Sequence, residues 1–390
     1  MKIAFFTEAY KPYQSGVTIS IDTFARDLVR LGHEVRVYAP AYPEHSDAEV
    51  NPSSFRFFSI AMGYPGFRMA VPVSARMATD IRKFNPDVIH AHHPYQLGWL
   101  ARYWAKKLQV PLFYTFHTLF TEYLHHVPLL NKAFLSKRVI TSVSNFCRSC
   151  ACVIVPTEKA GHILTDKYNV QNRVEIIPTG IDLEKFRKQP VRTVPDRKRL
   201  VHVGRVSQEK NIEFLLQVML HLPEEISLLI VGGGPAEDPL QEQAAELGLS
   251  ERVEFAGFQP REHLPQYFEQ ADIFVTASKT ETQGLVFMEA KAAALPTVAI
   301  RAAGAINMVK DGEDGFLVDD DVAEFAEKVL SLYEVGGGGL SAPSAIRDGA
   351  LYKKFSEGAL RHIDDFSSIT MAEKLVAVYE QEMQIAISAE

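Results

Sequence analysis

The first forty residues, "MKIAFFTEAYKPYQSGVTISIDTFARDLVRLGHEVRVYAP" (1–40), decide the fold class. "MKIAFFTEA" contains a short apolar run, and the polar loop "YKPYQSGV" follows it. The next segment, "TISIDTFARDLVRLGH", has apolar residues at helical spacing up to Gly32, and "EVRVYAP" has the composition of a strand. A strand, a helix and a strand in this order predict a parallel α/β sheet.

The same alternation continues through the first half of the chain. Further strands are predicted at 87–92, 111–117, 151–157 and 173–180, with helical patterns between most of them. The charged stretch "DLEKFRKQPVRTVPDRKR" contains two prolines, which is typical of a connection between domains. We therefore predict an N-terminal Rossmann-like domain over 1–183.

The alternation begins again in the second half. Strands are predicted at 200–205, 227–234, 253–258, 272–278, 296–300 and 315–319. They indicate a second Rossmann-like domain over 184–370, and a final helix over 371–390 is predicted to cross back to the first domain. The fold class is therefore α/β, with two tandem doubly wound domains facing a cleft, and ligands are expected at the carboxyl ends of the strands.

Length and composition agree with this architecture. The chain of 390 residues suits two domains, and 47% hydrophobic with 23% charged residues is typical of a globular protein. No stretch approaches ~18 uninterrupted apolar residues, so no spanning helix is expected. The opening segment resembles a first strand more than a signal peptide, which predicts a cytoplasmic location. Cys147, Cys150 and Cys152 are expected to be reduced and packed, because a second ligand cluster at zinc spacing is missing.

Charge is distributed unevenly along the chain. Residues 51–150 carry 12 Lys and Arg against 3 Asp and Glu, whereas 181–390 carry 21 against 35. A basic segment on an acidic protein predicts a local anionic partner, which is a nucleic acid, a membrane surface or a phosphorylated substrate. No nucleic-acid partner is expected; such a partner would need clustered aromatic residues with the basic patch and a salt-sensitive affinity.

The segment "HVGRVSQEKN" (202–211) is a candidate diphosphate site. The predicted strand ends at Gly204, Arg205 and Lys210 follow it, and Asn211 opens a helix. Two cations and a helix N-terminus can converge there on an anion. The alternative is that both cations are solvated surface residues.

Three further strand ends give weaker signals. Gly16 stands at the first strand-to-helix turn, but without a G-x-G-x-x-G pattern, which argues against a conventional dinucleotide site. Gly233, within "IVGGGP" (230–235), either approaches a ligand or only permits a tight turn. His117, at the end of "LFYTFH", either contacts substrate or is a packing residue.

The segment "DIFVTASKTETQGLVFMEA" (272–290) contains two carboxylates. A loop with Glu281 follows the predicted strand, Gly284 permits close backbone approach, and a helix from Leu285 carries Glu289. Because carboxylates accept hydrogen bonds from hydroxyls, these two are predicted to bind two sugars of one ligand, the transferred hexose and the nucleotide ribose. No helix period brings residues i and i+8 to one reaction centre. The alternative is that both are ordinary surface residues.

These motifs resemble retaining glycosyltransferases of family 4, which have the glycosyltransferase B fold. The resemblance covers essentially the whole chain and rests on "ETQGLVFME", "GRVSQEKN", "IIPTGID" and "TFH". It implies that Arg205 and Lys210 hold the donor diphosphate, that Glu289 binds the ribose and Glu281 the sugar hydroxyls, and that His117 contacts the hexose near the reacting carbon. No metal and no cofactor are expected, because the two cations can substitute for a metal.

The sequence departs from the family pattern at two places. Thr179 stands where the family usually has Asn, and Ser15 with Gly16 stands where two glycines are frequent.

A narrower resemblance involves "TFHTLFTEYLHHVPLL" (115–130), "VIVPTEKA" and "IIPTGIDLEKF", which are similar to bacterial 1,2-diacylglycerol 3-glucosyltransferases. It implies transfer of glucose from UDP-glucose to diacylglycerol by an enzyme peripherally bound to the cytoplasmic membrane face. The domain over 1–183 would then face the acceptor and the membrane, and the domain over 184–370 would bind the nucleotide-sugar donor. The apolar-basic run 131–149 fits anionic lipid, so Lys132, Lys137 and Arg138 are assigned to membrane contact. Alternatives are another nucleotide sugar with a phosphatidylinositol-like or soluble acceptor, and a catalytically inactive nucleotide-sugar-binding protein.

Overall fold

The computed structural model of the chain describes residues 1–13, 15–43, 53–61, 68–117, 132–186, 190–193, 197–279, 283–333 and 349–388. The chain forms two compact units. Unit 1 comprises Met1–Gly180 with Ser368–Glu390, and unit 2 comprises Ile181–Ser367. The observed divisions fall slightly before the predicted ones, which followed residues 183 and 370.

Unit 1 contains a parallel seven-stranded sheet in the order β3-β2-β1-β6-β7-β8-β9. Its strands are β1 Lys2–Phe6, β2 Glu34–Pro40, β3 Ser54–Phe57, β6 Val88–Ala91, β7 Leu112–Thr115, β8 Cys152–Val155 and β9 Arg173–Ile176. A separate antiparallel pair consists of β4 Ser59–Ala61 and β5 Arg68–Ala70. The sequence analysis missed β3, β4 and β5. The order places a topological switch between β1 and β6, where successive strands change sides of β1.

Helices cover both faces of this sheet. They are α1 Gly16–Arg30, α2 Ala75–Phe84, α3 Gln96–Leu108, α4 Lys132–Cys147, α5 Glu158–Asp166 and α13 Ser368–Ser388. Residues of α2 to α5, such as Trp104 and Phe146, form one core, and residues of α1 and α13, such as Phe24 and Tyr379, form the other. The three cysteines are buried and free, as predicted.

The final helix belongs to unit 1. Arg173 on β9 donates to Glu382 on α13 at 2.9 Å, and the Tyr379 hydroxyl hydrogen-bonds His90 Nδ1. These contacts tie α13 to the sheet of unit 1.

Unit 2 contains a parallel six-stranded sheet in the order β12-β11-β10-β13-β14-β15. Its strands are β10 Arg199–Val203, β11 Ser227–Val231, β12 Val253–Phe255, β13 Ile273–Thr276, β14 Thr297–Ile300 and β15 Gly315–Val318. Its helices are α6 Ile212–Leu220, α7 Glu237–Glu246, α8 Leu264–Glu269, α9 Leu285–Ala292, α10 Ala303–Met308, α11 Val322–Tyr333 and α12 Ala350–Leu360. Cores lie on both faces of the sheet. The prediction of two parallel α/β sheets is therefore confirmed, and here the topological switch falls between β10 and β13.

Within the described part of the chain, no helix combines the length and the apolar character that crossing a membrane requires.

Candidate active site

The loop after β10 places two cations at the switch point of unit 2. Arg205 is exposed, and the half-buried Lys210 ends a 3-10 turn that follows it. Between them, burial raises the pKa of the Glu209 carboxyl. Hydrogen bonds from its own backbone and from Ser207, together with the charges of Lys210 and Arg205, more than offset this and hold that pKa below its ordinary value. Both cations therefore lie close enough to the Glu209 carboxylate to stabilise its ionised form.

This loop contacts the loop after the neighbouring strand β13. The Ser278 hydroxyl donates to the Glu209 carbonyl at 3.5 Å. A Cβ placed on Gly204 would lie 4.0 Å from Lys210 Cε, so the lysine stem runs beside the end of β10. Asn211 opens α6, as predicted, and adopts a left-handed conformation. The chain therefore brings its cations to the crevice where open parallel sheets bind ligands.

The glycines after β11 serve backbone packing. A Cβ on Gly232 would lie 1.8 Å from the Gly204 carbonyl oxygen, and one on Gly234 would lie 2.1 Å from the Val206 carbonyl oxygen. Side chains there would force the two loops apart. Gly233 accepts a hydrogen bond from the Val206 N–H at 3.1 Å, and its Cβ would lie 3.2 Å from Phe258 Cβ. The glycine run is thus explained by packing, whether or not Gly233 also meets a ligand.

The turn after β13 leads to the second predicted carboxylate. Gly284 is buried with φ 73°, a left-handed conformation that favours glycine, and half-buried Leu285 begins α9. Glu289 is 5% exposed and accepts a hydrogen bond from Arg261 at 2.7 Å. Sequence reasoning missed Arg261, which lies 28 residues away and holds the carboxylate in place. Glu281 lies outside the described residues.

In unit 1, a buried carboxylate lies at the corresponding switch point. Glu8, just after β1, is 5% exposed and accepts a hydrogen bond from the Leu97 N–H in the first turn of α3 at 2.6 Å. Burial raises the pKa of Glu8 to about 7, although the Leu97 N–H lowers it. The Glu8 N–H donates to His93 Nδ1 at 3.2 Å. The sequence analysis overlooked Glu8, whose only signal was its position at a strand end.

His117 lies after β7 and has a histidine partner. Its Nε2 is 3.0 Å from Nδ1 of buried His92, and the two rings stack with centroids 5.3 Å apart. Burial and the neighbouring histidines hold the pKa of both rings well below the ordinary value, so both are neutral at pH 7. His92 Nε2 is buried and has no hydrogen-bond partner in the part of the chain that the structure describes.

This geometry favours one pair of tautomers. A buried N–H without an acceptor is rarer than a buried lone pair without a donor. His92 therefore carries its proton on Nδ1 and donates to His117 Nε2. His117, which is half-buried, then carries its own proton on Nδ1. The sequence analysis singled out His117 but not His92.

Gly16 is the first residue of α1 and is exposed. A Cβ there would meet no atom of the described residues within 4 Å. Ser15 caps the helix by accepting a hydrogen bond from the Thr18 N–H at 3.2 Å. The buried Thr179 hydroxyl donates to Ser20 of α1 at 2.6 Å, which ties the segment after β9 to this helix.

The residues assigned to membrane contact lie on α4. Lys137 and Arg138 are exposed, and Lys132 begins the helix, although its side chain lies outside the described part. Gly16 and His117 belong to unit 1, and the other described residues that are predicted to bind the donor belong to unit 2. Among the described residues, no cluster of three or more His, Cys, Asp or Glu side chains could hold a metal ion.

Comparison with known proteins identifies the class of protein. The protein-family model described as "Glycosyltransferase Family 4" matches residues 14–185 of the sequence. The family model described as "Glycosyl transferases group 1" matches residues 184–339. HepE of Anabaena, crystallised with UDP, superposes with a TM-score of 0.75 at 20% identity over 98% of this chain and 100% of that one. The fold is therefore the glycosyltransferase B fold. The chain belongs to glycosyltransferase family 4, which confirms the resemblance drawn from the motifs.

Individual relatives of known name are similar to most of the chain. The alpha-monoglucosyldiacylglycerol synthase of Streptococcus pneumoniae is 30% identical over 81% of this chain and 75% of its own length. The enzyme of the same name from Acholeplasma laidlawii is 31% identical over 81% and 84%. The D-inositol 3-phosphate glycosyltransferase of Corynebacterium diphtheriae is 28% identical over 97% and 94%. The chain is thus similar to enzymes with lipid and with non-lipid acceptors in their names.

Proposed function

We propose that this glycosyltransferase moves glucose from UDP-glucose to the free hydroxyl of diacylglycerol, with retention at the anomeric carbon. The observation that carries the proposal is the pair of cations, Arg205 and Lys210, at the switch point of unit 2. It is joined by the similarity to two alpha-monoglucosyldiacylglycerol synthases at 30% and 31% identity. The cations suit a diphosphate, and the relatives suggest the sugar and the acceptor.

In the proposed reaction, the bond between the glucose anomeric carbon and the UDP diphosphate oxygen breaks, and negative charge grows on the leaving diphosphate. Arg205 and Lys210 stabilise that charge more strongly in the transition state than in bound donor. The diacylglycerol oxygen attacks the anomeric carbon from the face that the diphosphate leaves. Its proton passes to a leaving phosphate oxygen, and the products are UDP and glucosyldiacylglycerol. No protein nucleophile takes part.

The remaining residues bind the two sugars of the donor. Glu289, oriented by Arg261, accepts hydrogen bonds from the ribose hydroxyls, and Glu281 accepts them from the glucose hydroxyls. The Nδ1–H of His117 donates to a glucose oxygen, and His92 fixes the tautomer that makes this possible. Gly16, Gly233, Gly284 and Leu285 are the backbone contacts of the donor.

The acceptor is insoluble, so the enzyme must meet a bilayer. We place it on the cytoplasmic membrane face, with the exposed Lys137 and Arg138, together with Lys132, near anionic head groups. Replacing all three with Gln should lower vesicle binding and transfer to diacylglycerol, while the affinity for UDP stays unchanged. Vesicle binding that ignores both the lipid charge and the triple substitution would contradict this role.

A direct assay tests the reaction. The protein is incubated with radiolabelled UDP-glucose, UDP-galactose or GDP-mannose and vesicles that contain diacylglycerol, phosphatidylinositol or neither. Label from UDP-glucose in a glucosyldiacylglycerol, with an α-anomeric coupling by NMR, is the expected result. Binding of the donor without transfer or hydrolysis would identify an inactive binding protein instead.

A second candidate keeps the same chemistry with another acceptor. It is favoured by the similarity to the D-inositol 3-phosphate glycosyltransferase, which extends over 97% of the chain, and to a GDP-mannose-dependent alpha-mannosyltransferase of Corynebacterium glutamicum at 28% identity. Label in phosphatidylinositol or in inositol phosphate would select this candidate.

A further inference from the structure

Helix α3 presents an aromatic stripe to its surroundings. Tyr95, immediately before the helix, Trp99 and Tyr103 are spaced by four residues and are 40%, 38% and 54% exposed. Residues four apart lie on one face of a helix. The neighbouring Trp104 is only 3% exposed and belongs to the core. The face of α3 that carries these residues is therefore aromatic and partly exposed, with Trp99 packed edge-on against the buried Phe146 at 5.6 Å between ring centres.

Cations accompany this stripe. Arg102, Lys106 and Lys107 are exposed, and the segment Gln96–Leu108 contains no acidic residue. The Arg102 guanidinium lies 4.9 Å from the centre of the Trp99 ring, and Lys107 Nζ lies 5.4 Å from that of Tyr103. The face thus combines amphipathic rings with positive charge and offers no repulsion to an anionic surface.

We propose that this face of α3 docks on a bilayer containing anionic lipids. Tyr and Trp side chains favour the level of the lipid head groups, and Lys and Arg near an anionic surface add attraction that falls within a Debye length. The inference rests on the proposed function, because a diacylglycerol acceptor requires the enzyme to meet a membrane. It assigns the main contact to α3, in addition to the cations of α4.

The β4–β5 pair extends this surface. Gln96, in the first turn of α3, donates to Met69 Sδ on β5 at 3.5 Å, so the pair lies beside the start of the helix. Phe58, immediately before β4, and Ile60, within it, are 73% and 49% exposed. Exposed apolar side chains next to a basic aromatic face are typical of interfacial binding.

The shape of this face favours a bilayer over single-stranded nucleic acid, which is generally held in a basic groove that tracks its backbone. The aromatic side chains of α3 instead stand on the outer, convex side of a helix. A bilayer surface can accept such a helix along its length.

Trp99 provides the test, because the chain has only two tryptophans and the other is buried. The full-length protein is mixed with vesicles of phosphatidylglycerol and phosphatidylcholine, or of phosphatidylcholine alone, with brominated acyl chains as quenchers. With anionic vesicles we expect a blue shift and quenching of the fluorescence, both lost in Trp99→Phe. Replacing Arg102, Lys106 and Lys107 with Gln should weaken sedimentation with anionic vesicles by roughly 100-fold.

A matched control replaces three exposed cations of unit 2, Lys353, Lys354 and Arg361, with Gln, and should leave vesicle binding unchanged. The proposal would be overturned if both triple variants lost vesicle binding equally, or if the wild type showed no quenching. It would also be overturned if self-association of the protein covered Trp99 and kept it from the quenchers. So would binding of single-stranded nucleic acid in place of vesicles. An assay of transfer to diacylglycerol in detergent micelles distinguishes failure of the proposed function from failure of the docking proposal. Transfer in micelles requires the proposed function but does not require docking by α3.

Discussion

The buried carboxyl of Glu8 makes a quantitative prediction. Its pKa rises from an ordinary value of 4.5 to about 7, mainly through burial. The folded chain therefore keeps this proton up to about pH 7, while the unfolded chain releases it near pH 4.5. Between these values the folded state binds more protons, so the contribution of Glu8 to stability falls as pH rises. The difference between the two pKa values corresponds to about 3 kcal/mol.

Replacing Glu8 with Gln tests this effect. Glutamine keeps an oxygen that can accept the hydrogen bond from the Leu97 N–H, but it cannot ionise. The variant and the wild type should therefore have similar free energies of unfolding near pH 4.5. The variant should become progressively more stable as pH rises, by about 3 kcal/mol above pH 7. Urea denaturation at half-unit pH intervals measures both curves.

The quantity to compare is the difference in free energy of unfolding between the variant and the wild type at each pH. The absolute values are unsuitable because nearby histidines change stability with pH in the opposite direction. Burial lowers the pKa of His93 to about 4 and that of His90 to about 3. These groups, neutral in the folded chain, favour folding increasingly as pH rises toward their unfolded pKa. Since wild type and Glu8→Gln share them, they cancel. A stability difference that stays flat from pH 5 to pH 8 would refute the reasoning.

Three further predictions concern the donor site. Arg205→Ala should lower kcat by roughly 30- to 800-fold, equivalent to about 2 to 4 kcal/mol of transition-state stabilisation, and an unchanged kcat would exclude the role. Glu289→Ala should weaken UDP binding in calorimetry, whereas Glu281→Ala should leave it nearly intact and impair transfer; equal loss would contradict the division. Arg261→Ala should weaken UDP binding roughly tenfold through release of Glu289, with partial recovery in Arg261→Lys, and UDP affinity independent of Arg261 would make the pair purely structural.

Sequence reasoning succeeded where the signal was local. Strands such as Ser227–Val231 are buried on both faces of a parallel sheet and therefore appear as continuous apolar runs. The short strand Ser54–Phe57 was missed, because it is only partly buried and contains an arginine. Arg205 and Lys210 could be proposed together because one loop carries both.

Contacts between distant segments could not be predicted in this way. The partners of Glu289 and His117 lie 28 and 25 residues away, and Leu97, which holds Glu8, lies 89 residues away. Their pairing depends on which strands become neighbours in the sheet. Gly232 gives a similar case, because only the folded backbone shows that the Gly204 carbonyl leaves no room for a side chain.

The positions of the charged side chains in unit 1 help to distinguish a lipid acceptor from a phosphorylated soluble acceptor. The titratable groups Glu8, His92, His93 and His117 follow β1, β6 and β7, and burial keeps the histidines neutral at pH 7 while raising the pKa of Glu8 to about 7. Many of the cations in 51–150 instead stand exposed on α2, α3 and α4. A phosphorylated soluble acceptor would be expected to find cations at the strand ends, whereas an uncharged hydroxyl needs none there. Among the described residues that follow β1, β6 and β7, these four groups supply no cation at pH 7, and Lys11 is paired with Asp22 at 2.6 Å. This supports the proposed diacylglycerol acceptor over inositol phosphate, and the basic excess fits the proposed contact with lipid.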